Sequence, residues 1–432
     1  MRERIGVGLM GLGVVAGQVA RVLEEKAAVL QRQVGCPVEL LKVKVAEADL
    51  SRPQAAELGS RITVDEDEFF NTPGLDIVVE AIGGERPALD YLKRALSSGR
   101  HVVTSNKEVV AKHAAELLKL AETNDVSLRC EASVGGGIPL LSPFQYDLVA
   151  NDIRGIYAII NGTTNYILTC MAREELDFPT ALKQAQALGY AEADPKNDIE
   201  GIDAAYKLAI LASLAFKAEV KPDDIYSEGI SRLGSCDFRY AEELGYAIKL
   251  LAIARQENGS IEVRVHPAFI DADSFLAKVD GVYNAVLAEG DLVEKVMFSG
   301  QGAGPLPTSS AVVADVAAAA RDIYLGVGNR GIWVLNPGIK VKPMEEVETR
   351  YYFRMNIADE SGVLAKVSTI FGQNGISIAS AIQKETDNAN RTAEIVIMTH
   401  SAKEKAVRRA LEDLKGLDVV NEVNSLIRVE VD

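Results

Sequence analysis

A glycine turn near the start of the chain constrains the fold more than any other feature. Ile5–Met10 is a continuous apolar run typical of a buried strand, and residues 18–30 have the pattern of a helix; between them lies Gly11-Leu12-Gly13-Val14-Val15-Ala16. A strand, a G-x-G-x-x-A turn and a helix in this order are typical of a dinucleotide-binding site. Gly11 would allow the tight turn, and Gly13 would let a pyrophosphate approach the backbone. We predict dinucleotide binding here, and the alternative is a glycine-rich turn without a ligand.

Strands and helices alternate through the first part of the sequence. Predicted strands at 39–46, 75–82 and 101–104 are separated by helical or loop stretches, which favours a parallel sheet with ligands beyond its carboxyl edge. The candidate cofactor contacts at these strand ends are Gly83, Gly84, Thr104, Ser105 and Lys107. After the second strand, Asp49 would bind the ribose hydroxyls of NAD, whereas Arg52 would favour NADP. The pattern therefore leaves the choice of cofactor open.

Composition excludes several classes of function. The formal net charge of −16 argues against a nucleic-acid or anionic-membrane partner. No uncharged apolar run approaches the ~20 residues that span a bilayer, and the N-terminus shows no cleavable apolar segment. The cysteines and histidines are scattered without metal-type spacing, so we expect a cytoplasmic protein whose acid–base group is not a histidine. Lysines and carboxylates are then the candidates for acid–base chemistry.

An acidic stretch in the middle of the chain carries the densest group of such candidates. Glu192, Asp194, Asp198, Glu200 and Asp203 are followed closely by Lys207. The Asp194-Pro195 step disfavours a helix at Asp194, and the apolar spacing from about Asp198 to Phe216 predicts one with a single apolar face. Asp203 and Lys207 are four residues apart and share a side of that helix. The stretch could hold a cationic amino group beside an ammonium, and the alternative is a solvated acidic loop.

Two glycine-rich loops would expose backbone to a ligand. Gly135-Gly136-Gly137 follows a segment that contains Glu131, and a small hard-cation site is conceivable there. A hinge between domains explains the same glycines equally well. The second loop, residues 300–307, precedes an alanine-rich helix at 308–325 that is suited to tight packing.

The last part of the sequence predicts a separate small domain. Residues 336–348 contain prolines, a glycine and charges, as expected of a linker. After them the pattern is β-α-β-β-α-β, which predicts a ferredoxin-like fold. The predicted organisation is a dinucleotide-binding domain at 1–134, onto which helix 308–325 packs back; an α+β catalytic and oligomerisation domain at 135–335; the linker; and a C-terminal domain at 349–432.

Several motifs in this order resemble the homoserine dehydrogenase family over nearly the whole length. They are Gly11 to Val15, Thr104 to Glu108, Glu131 to Pro139, Asn161 to Leu168, Tyr190 to Lys207 and Gly302 to Gly304. The C-terminal domain resembles an ACT regulatory domain through Asp359 to Leu364 and Asn374 to Ile376. The resemblance implies a Rossmann-type fold and NAD(P)-linked reduction of L-aspartate 4-semialdehyde to L-homoserine, a step toward threonine, methionine and isoleucine.

The resemblance also implies roles for individual residues. Lys207 matches the general acid/base, and Lys107 matches the lysine at the cofactor ring and the substrate. Glu192, Asp198 and Asp203 match the carboxylates around the substrate amino group and the acid/base lysine. The implied cofactor contacts are Gly11, Leu12, Gly13, Val14, Val15, Asp49, Arg52, Gly83, Gly84, Thr104, Ser105, Lys107 and Gly302. The implied monovalent-cation ligands, for Na⁺ or K⁺, are Glu131 and the carbonyls of Val134, Gly136 and Ile138.

Two departures from the family pattern concern the cofactor. Ala16 replaces the usual third glycine, and Ala48 stands where many NADP-using members have arginine. We therefore expect use of either NADP or NAD.

The implied regulation involves the C-terminal domain. Its candidate effector residues are Asp359, Gly362, Val363, Leu364, Asn374 and Ile376, with L-threonine as the inhibitor that the resemblance implies. The alternative is that this domain only helps to form a homodimer or homotetramer. A second reading of the whole chain is a non-catalytic regulator that senses amino acids with NAD(P)- and ACT-type binding modules.

Overall fold

The computed structural model describes residues 2–329, 333, 335, 336, 338–387 and 390–430. Two residues of predicted segments, Pro337 of the linker and Val431 of the last strand, lie outside the described residues. The helices are α1 (Val14–Glu25), α2 (Ala27–Val34), α3 (Pro53–Leu58), α4 (Glu66–Phe70), α5 (Ala88–Ser97), α6 (Lys107–Thr123), α7 (Leu141–Gln145), α8 (Gly162–Arg173), α9 (Phe178–Ala187), α10 (Lys196–Ile199), α11 (Ile202–Ala215), α12 (Ser235–Glu243), α13 (Pro305–Leu325), α14 (Val363–Gln373) and α15 (Glu404–Lys415).

Strands make up most of the remaining regular structure. They are β1 (Ile5–Met10), β2 (Val38–Lys44), β3 (Ile62–Thr63), β4 (Leu75–Glu80), β5 (His101–Thr104), β6 (Leu128–Arg129), β7 (Ile153–Ile159), β8 (Tyr226–Ser227), β9 (Tyr246–Glu257), β10 (Ser260–Asp271), β11 (Tyr283–Gly290), β12 (Glu294–Gln301), β13 (Lys340–Val341), β14 (Glu348–Ala358), β15 (Ile378–Asp387), β16 (Thr392–Thr399), β17 (Ala402–Lys403) and β18 (Val420–Glu430). The chain forms two compact units, one from the described residues of 1–154, 206–224 and 286–339, the other from 155–205, 225–285 and 340–430.

The first unit is built on a parallel sheet of six strands. Their order is β3-β2-β1-β4-β5-β6, and each neighbouring pair is parallel. This 3-2-1-4-5-6 order is that of the Rossmann fold, in which the chain reverses direction across the sheet beside β1. Every residue of β1 is buried, as its continuous apolar run predicts for a strand covered on both faces. The switch point places the loops after β1 and β4 next to each other.

Helix α13 belongs to this unit although it lies far along the chain. Its residues Val312, Val316 and Ala320 are fully buried in the same apolar cluster as Val19 and Leu23 of α1. Small side chains on one face let the two helices approach closely, which is the packing that an alanine-rich helix allows.

The second unit contains an antiparallel hairpin, β9 and β10, with β7 on the outer side of β9. The C-terminal domain has the order β14-α14-β15-β16-α15-β18 and its own apolar core under both helices. Its strand β18 pairs with β14 on one side and, in parallel, with β10 on the other, through Ala268 opposite Arg428. The ferredoxin-like fold predicted for this domain is confirmed, and its sheet is continuous with that of the hairpin.

The structure differs from the sequence-based expectation at four places. The predicted helix from Asp198 to Phe216 is two helices, α10 and α11, because Gly201 adopts a left-handed conformation with φ of 78°. The helix after the glycine turn starts at Val14 and is interrupted at Lys26. The last strand begins at Val420 rather than 426. Its first half is polar, so no apolar pattern predicted it, but this half pairs with β14. The short strand β13, within the stretch predicted as a linker, pairs with β10.

No helix of the described residues is long and apolar enough to cross a membrane.

Candidate active site

The glycine turn after β1 leads directly into the N-terminus of α1. Gly11 has φ of 100°, and a Cβ there would lie 2.9 Å from the carbonyl oxygen of Ala81. A Cβ at Gly13 would meet nothing within 4 Å, so this residue leaves open space above the turn. Helix α1 has neither a side-chain cap nor an acidic residue in its first turn, and its free N–H groups and positive dipole face that space. The turn therefore fits the pyrophosphate of a dinucleotide.

A buried carboxylate organises the loop after β4. Glu80 is fully buried, and its Oε1 accepts the backbone N–H groups of Ile82 at 2.7 Å and Gly83 at 3.3 Å. Its Oε2 accepts the hydroxyl of Thr104 at 2.5 Å, which ties the end of β4 to the end of β5. The predicted cofactor residues Gly83 and Thr104 are thus held by one side chain. The sequence analysis gave Glu80 no role, although a single acid at the end of an apolar strand is an unusual feature.

Asn106 connects the same loop to α6. Its side chain caps α6 by accepting the N–H of Val109 at 3.2 Å, and it donates to the carbonyl of Gly84 at 2.7 Å. The backbone N–H of Asn106 donates to the Thr104 hydroxyl at 3.0 Å. Lys107 is then the first residue of α6 and is half-buried. A cation in the first turn opposes the helix dipole, so this position does not serve the stability of the helix.

The two residues that are predicted to select the cofactor form an ion pair with each other. Arg52 Nε donates to Asp49 Oδ1 at 2.6 Å, and both residues lie in the turn that follows β2. The Asp49 side chain is the less exposed of the two. A ribose hydroxyl or a phosphate at this position would meet a neutralised pair rather than one free charge.

The other lysine predicted to be catalytic lies on helix α11. Lys207 lies on α11 and is half-buried. Asp203 precedes it by one turn on the same face of this helix, as the spacing predicts.

Within the second unit, one amide joins two of the predicted substrate carboxylates. Asn161 Nδ2 donates to Asp198 at 2.7 Å and to Asp203 Oδ2 at 2.9 Å. Its Oδ1 accepts the N–H of Thr164 at 2.9 Å and caps α8. Asp203 is buried and Asp198 is half-buried, whereas Glu192 is exposed. The structure therefore brings Asp198 and Asp203 together through Asn161, a residue to which the sequence analysis gave no role.

Glu131 is fully engaged by hydrogen bonds. Its Oε1 accepts the N–H groups of Leu140 at 2.6 Å and Leu141 at 2.8 Å, and its Oε2 accepts both the N–H and the hydroxyl of Ser142 at 2.7 Å. The carboxylate thus caps the N-terminus of α7. Because both carboxylate oxygens accept hydrogen bonds, Glu131 would offer a cation its main-chain carbonyl oxygen, as Val134, Gly136 and Ile138 would in the predicted site. Backbone carbonyl oxygens are ligands that hard cations accept.

Asp315 lies against the same segment. Its Oδ2 accepts the backbone N–H of Glu131 at 2.8 Å. Burial raises the pKa of Asp315 to about 7, although that hydrogen bond acts in the opposite direction. Gly136 packs against Gly302, since a Cβ at Gly136 would lie 2.6 Å from the Gly302 carbonyl oxygen. The two glycine-rich loops that the sequence analysis singled out are therefore in contact.

The predicted effector residues of the C-terminal domain divide into two groups. Val363 and Ile376 are buried in its apolar core, whereas Asp359 and Leu364 are exposed. Gly362 precedes α14 in a left-handed conformation, and Asn374, which ends α14, donates to Asp413 at 2.9 Å. Asp359, Gly362 and Leu364 are therefore the exposed members of the predicted effector set.

The fold and the loops around the glycine turn define a class: the chain is an oxidoreductase of the NAD(P)-dependent dehydrogenases. Family models match three segments, described as "Homoserine dehydrogenase, NAD binding domain" at 11–131, "Homoserine dehydrogenase" at 139–317 and "ACT domain" at 351–419. The homoserine dehydrogenase of Neisseria gonorrhoeae is 40% identical over 99% of this chain and 98% of its own length. That of Bacillus subtilis is 38% identical over 99% of each chain. The chain belongs to the homoserine dehydrogenase family.

Solved structures agree with this assignment. The structure of a homoserine dehydrogenase from Thiobacillus denitrificans has a TM-score of 0.93 and 41% identity, and covers 99% of this chain and 98% of its own. A Staphylococcus aureus homoserine dehydrogenase at pH 8.5 gives a TM-score of 0.78 at 32% identity, over 100% of both chains. The predicted family, the Rossmann-type fold and the ACT domain are confirmed.

Proposed function

We propose that this protein catalyses the reversible NAD(P)H-dependent reduction of L-aspartate 4-semialdehyde to L-homoserine, a step toward threonine, methionine and isoleucine. The observation that carries the proposal is the Asn161 amide, which holds Asp198 and Asp203 together at the start of the helix that bears Lys207. The carboxylate of Asp198 suits a substrate ammonium, and Asp203 precedes by one turn a lysine that suits proton transfer. Substrate recognition and acid–base chemistry are thus assigned to adjacent parts of the sequence.

In this proposal each charged residue has a separate task. Asp198 and Glu192 hold the substrate ammonium, and the carboxylate of Asp203 holds Lys207 in position. NAD(P)H supplies the hydride when bound. Lys207 donates the proton that turns the aldehyde oxygen into a hydroxyl, and Lys107 stabilises the negative charge that develops on that oxygen. In the direction of homoserine oxidation, Lys207 accepts the proton instead.

The dinucleotide would be bound by the turn and the strand-end loops of the first unit. The proposed contacts are Gly11, Leu12, Gly13, Val14, Val15, Asp49, Arg52, Gly83, Gly84, Thr104, Ser105 and Gly302. Glu80 and Asn106 would act indirectly by holding the loops at residues 82–84 and 104–106. Because Asp49 and Arg52 neutralise each other, we propose that both NAD and NADP are used.

A monovalent cation is part of the proposal. The carbonyl oxygens of Glu131, Val134, Gly136 and Ile138 would hold Na⁺ or K⁺, which would stiffen the contact between the loops that contain Gly136 and Gly302. The melting temperature in Na⁺ or K⁺ should exceed that in an equal concentration of tetramethylammonium, which is too large for such a site. Equal melting temperatures in all three salts would contradict the cation site.

The proposed protein is a cytoplasmic homo-oligomer, a dimer or a tetramer, that L-threonine inhibits through its ACT domain. The four cysteines are unpaired thiols, which suits a reducing compartment.

The decisive experiment follows the absorbance of reduced nicotinamide. L-Homoserine with NAD⁺ or NADP⁺ should give a steady-state rise, and D-homoserine or L-serine should give a much weaker one. Binding of dinucleotide and amino acid without turnover would contradict the enzyme and favour a non-catalytic regulator.

A further inference from the structure

The short helix α10, which carries the proposed substrate ligand Asp198, is held at its end by a neighbouring segment. This connecting segment consists of residues 226–231, that is, strand β8 and the four residues after it. The N–H of Ile230 donates to the carbonyl of Ile199 at 2.9 Å, and the Ser227 hydroxyl donates to the carbonyl of Glu200 at 3.0 Å. Two carbonyls at the end of α10 therefore depend on the position of the connecting segment.

The contact between the connecting segment and α10 has no spare room. A Cβ on Gly229 would lie 2.3 Å from the Ile199 carbonyl oxygen and 2.7 Å from the Glu200 Cα. Both obstacles are backbone atoms, so a side chain here would have to displace the end of α10. Any shift of the connecting segment is thus passed on to the helix that carries Asp198.

The other side of the connecting segment is held by the C-terminal domain. Arg428 of β18 donates from Nη1 to Glu228 Oε2 at 2.8 Å, and the hydroxyl of Tyr226 donates to the same oxygen at 2.9 Å. The Arg428 guanidinium also stacks 5.0 Å from the centre of the Tyr226 ring. Only 3% of the Arg428 side chain is exposed, so this ion pair is shielded from solvent on the arginine side.

Arg428 is itself fixed within the C-terminal domain. Its Nε and Nη2 donate to both carboxylate oxygens of Glu404, at 2.9 and 2.6 Å. Glu404 is the first residue of α15, is buried, and also accepts the hydroxyl of Tyr351 at 2.9 Å. Such a bidentate arrangement fixes both the direction and the distance of the arginine. Movement of α15 relative to β10 would therefore pull on Glu228.

We propose that Arg428 and Glu228 are positioning residues that hold the substrate-binding carboxylate Asp198 in place from the C-terminal domain. The contacts run from Glu404 through Arg428, Glu228 and the connecting segment to Ile199 and its neighbour Asp198. The inference rests on the proposed function, because it takes Asp198 as a ligand of the substrate ammonium. In this arrangement the C-terminal domain contributes to substrate affinity even without an effector. The same contacts provide a physical route by which an effector would change that affinity.

Two pairs of variants test the proposal in the full-length protein, with kcat and KM measured separately for homoserine and for the dinucleotide. Gly229→Ala and Arg428→Lys should each raise KM for homoserine by about 3–30-fold, the range expected of residues that couple two sites. The KM for the dinucleotide and kcat should stay unchanged, since the reacting groups are not touched. General loss of stability would not produce this selective change.

Each variant has a matched control in the same unit. Gly372→Ala adds a Cβ in α14 that meets nothing within 4 Å, so KM for homoserine should not change. Arg354→Lys weakens another buried arginine of the C-terminal sheet, which holds Asp237 of α12 at 2.7 Å instead of the connecting segment. It should lower the melting temperature as Arg428→Lys does, but leave KM for homoserine as in the wild type.

A double variant examines whether the two positions act through one segment. If they do, Gly229→Ala with Arg428→Lys should raise KM for homoserine by less than the product of the two single effects. If Arg428→Lys does not fold, Gly229→Ala and Glu228→Gln, whose glutamate is one-third exposed, provide the same measurement. Unchanged KM for homoserine in folded Gly229→Ala, or an equal increase in Arg354→Lys, would overturn the proposal. A wild-type protein that does not turn over homoserine would instead refute the proposed function.

Discussion

Arg52 donates its Nε proton to Asp49 at 2.6 Å, so the residue that would favour NADP neutralises the residue that would favour NAD. The pair is partly exposed and would reorganise at little cost when a 2′-phosphate or a free ribose hydroxyl arrives. In the proposed function, the selectivity for the cofactor depends on the balance within this pair.

The first prediction is that single substitutions shift that balance in opposite directions. Arg52→Ala should lower kcat/KM for NADPH relative to NADH by about tenfold, because it removes a charged hydrogen-bond donor to the phosphate. Asp49→Ala should raise the same ratio, because Arg52 becomes available. Arg21→Ala, which breaks an exposed pair with Glu25 in α1, is the control and should leave the ratio unchanged. The same shift in both Arg52→Ala and Asp49→Ala would contradict the assignment.

The second prediction concerns the acid/base lysine. Lys207→Ala should reduce turnover by roughly 10²–10⁴-fold, the contribution expected of a general acid. Dinucleotide binding, measured by fluorescence titration, should stay near that of the wild type. Lys183→Ala, at an exposed position on α9, serves as the control. Normal turnover in a folded Lys207→Ala protein would show that another group transfers the proton.

The third prediction separates two roles of Asn161. Asn161→Ala should raise KM for homoserine, because Asp198 and Asp203 lose their common donor. It should also cost about 1 kcal/mol of stability, since Asn161 caps α8. Asp177→Ala removes the equivalent cap of α9 and should lower the melting temperature to a similar degree without changing KM. If KM rises equally in both variants, Asn161 acts only through stability.

The fourth prediction concerns stability in acid. His266 is fully buried, and burial, together with Arg428 and Arg264 nearby, lowers its pKa well below the ordinary value. Arg264 Nε donates to His266 Nε2 at 3.2 Å, which requires that nitrogen to be unprotonated, and Nδ1 lies 2.9 Å from the Pro267 carbonyl oxygen. The folded protein therefore keeps this ring neutral.

A depressed histidine pKa stabilises the folded state fully above the unfolded pKa and less as the pH falls below it. At about pH 5.5, one unit below the unfolded value, the loss from this histidine should be about 1.4 kcal/mol. Thermal unfolding at about pH 7.5 and 5.5 should thus show a smaller drop for His266→Asn than for the wild type. His400→Asn, at an exposed position, should behave as the wild type does. An unchanged drop in His266→Asn would show that this ring is already protonated in the folded state.

The fifth prediction concerns threonine. Asp359→Ala and Leu364→Ala alter the exposed part of the loop before and at the start of α14, and each should weaken inhibition by L-threonine about fivefold or more. Turnover without threonine should be normal. Asp418→Ala, exposed in the same domain, is the control. Unaltered inhibition in the first two variants would place the threonine site elsewhere.

The sequence predicted those parts of the molecule in which local pattern and tertiary structure agree. The run Ile5–Met10, its glycine turn and the strands at 75–80 and 101–104 predict the Rossmann sheet, because strands buried on both faces show a continuous apolar pattern. The interruption at Gly201 was missed, since a glycine inside a helical pattern is often tolerated. The carboxylates of the acidic stretch could be predicted as candidate ligands from their chemistry and from their order along the chain.

What could not be predicted depends on contacts between distant segments. The two hydrogen bonds from Asn161 join residues about 40 positions apart, at separations of 37 and 42. The hydrogen bond from Arg428 to Glu228 spans 200 positions. Pairing between residues so far apart leaves no repeating pattern in the sequence. Asn161, Glu80 and Arg428 therefore emerge as functional candidates only from the structure.

The parallel pairing of β10 with β18 has a consequence for the order in which the protein can fold during synthesis. Strand β10 ends at Asp271, but its neighbour β18 begins only at Val420, so the two strands can pair only after the whole segment between them has been synthesised. Until then the stretch 268–270 of β10 lacks the strand that pairs with it, and Arg264 lacks Glu430, the partner that it meets at 2.9 Å in the finished protein. This short stretch of sheet edge therefore stays open while the C-terminal domain is synthesised, and contacts of such long range form slowly. A chain that terminates early would keep that edge permanently, which makes this strand the expected origin of aggregation in truncated forms.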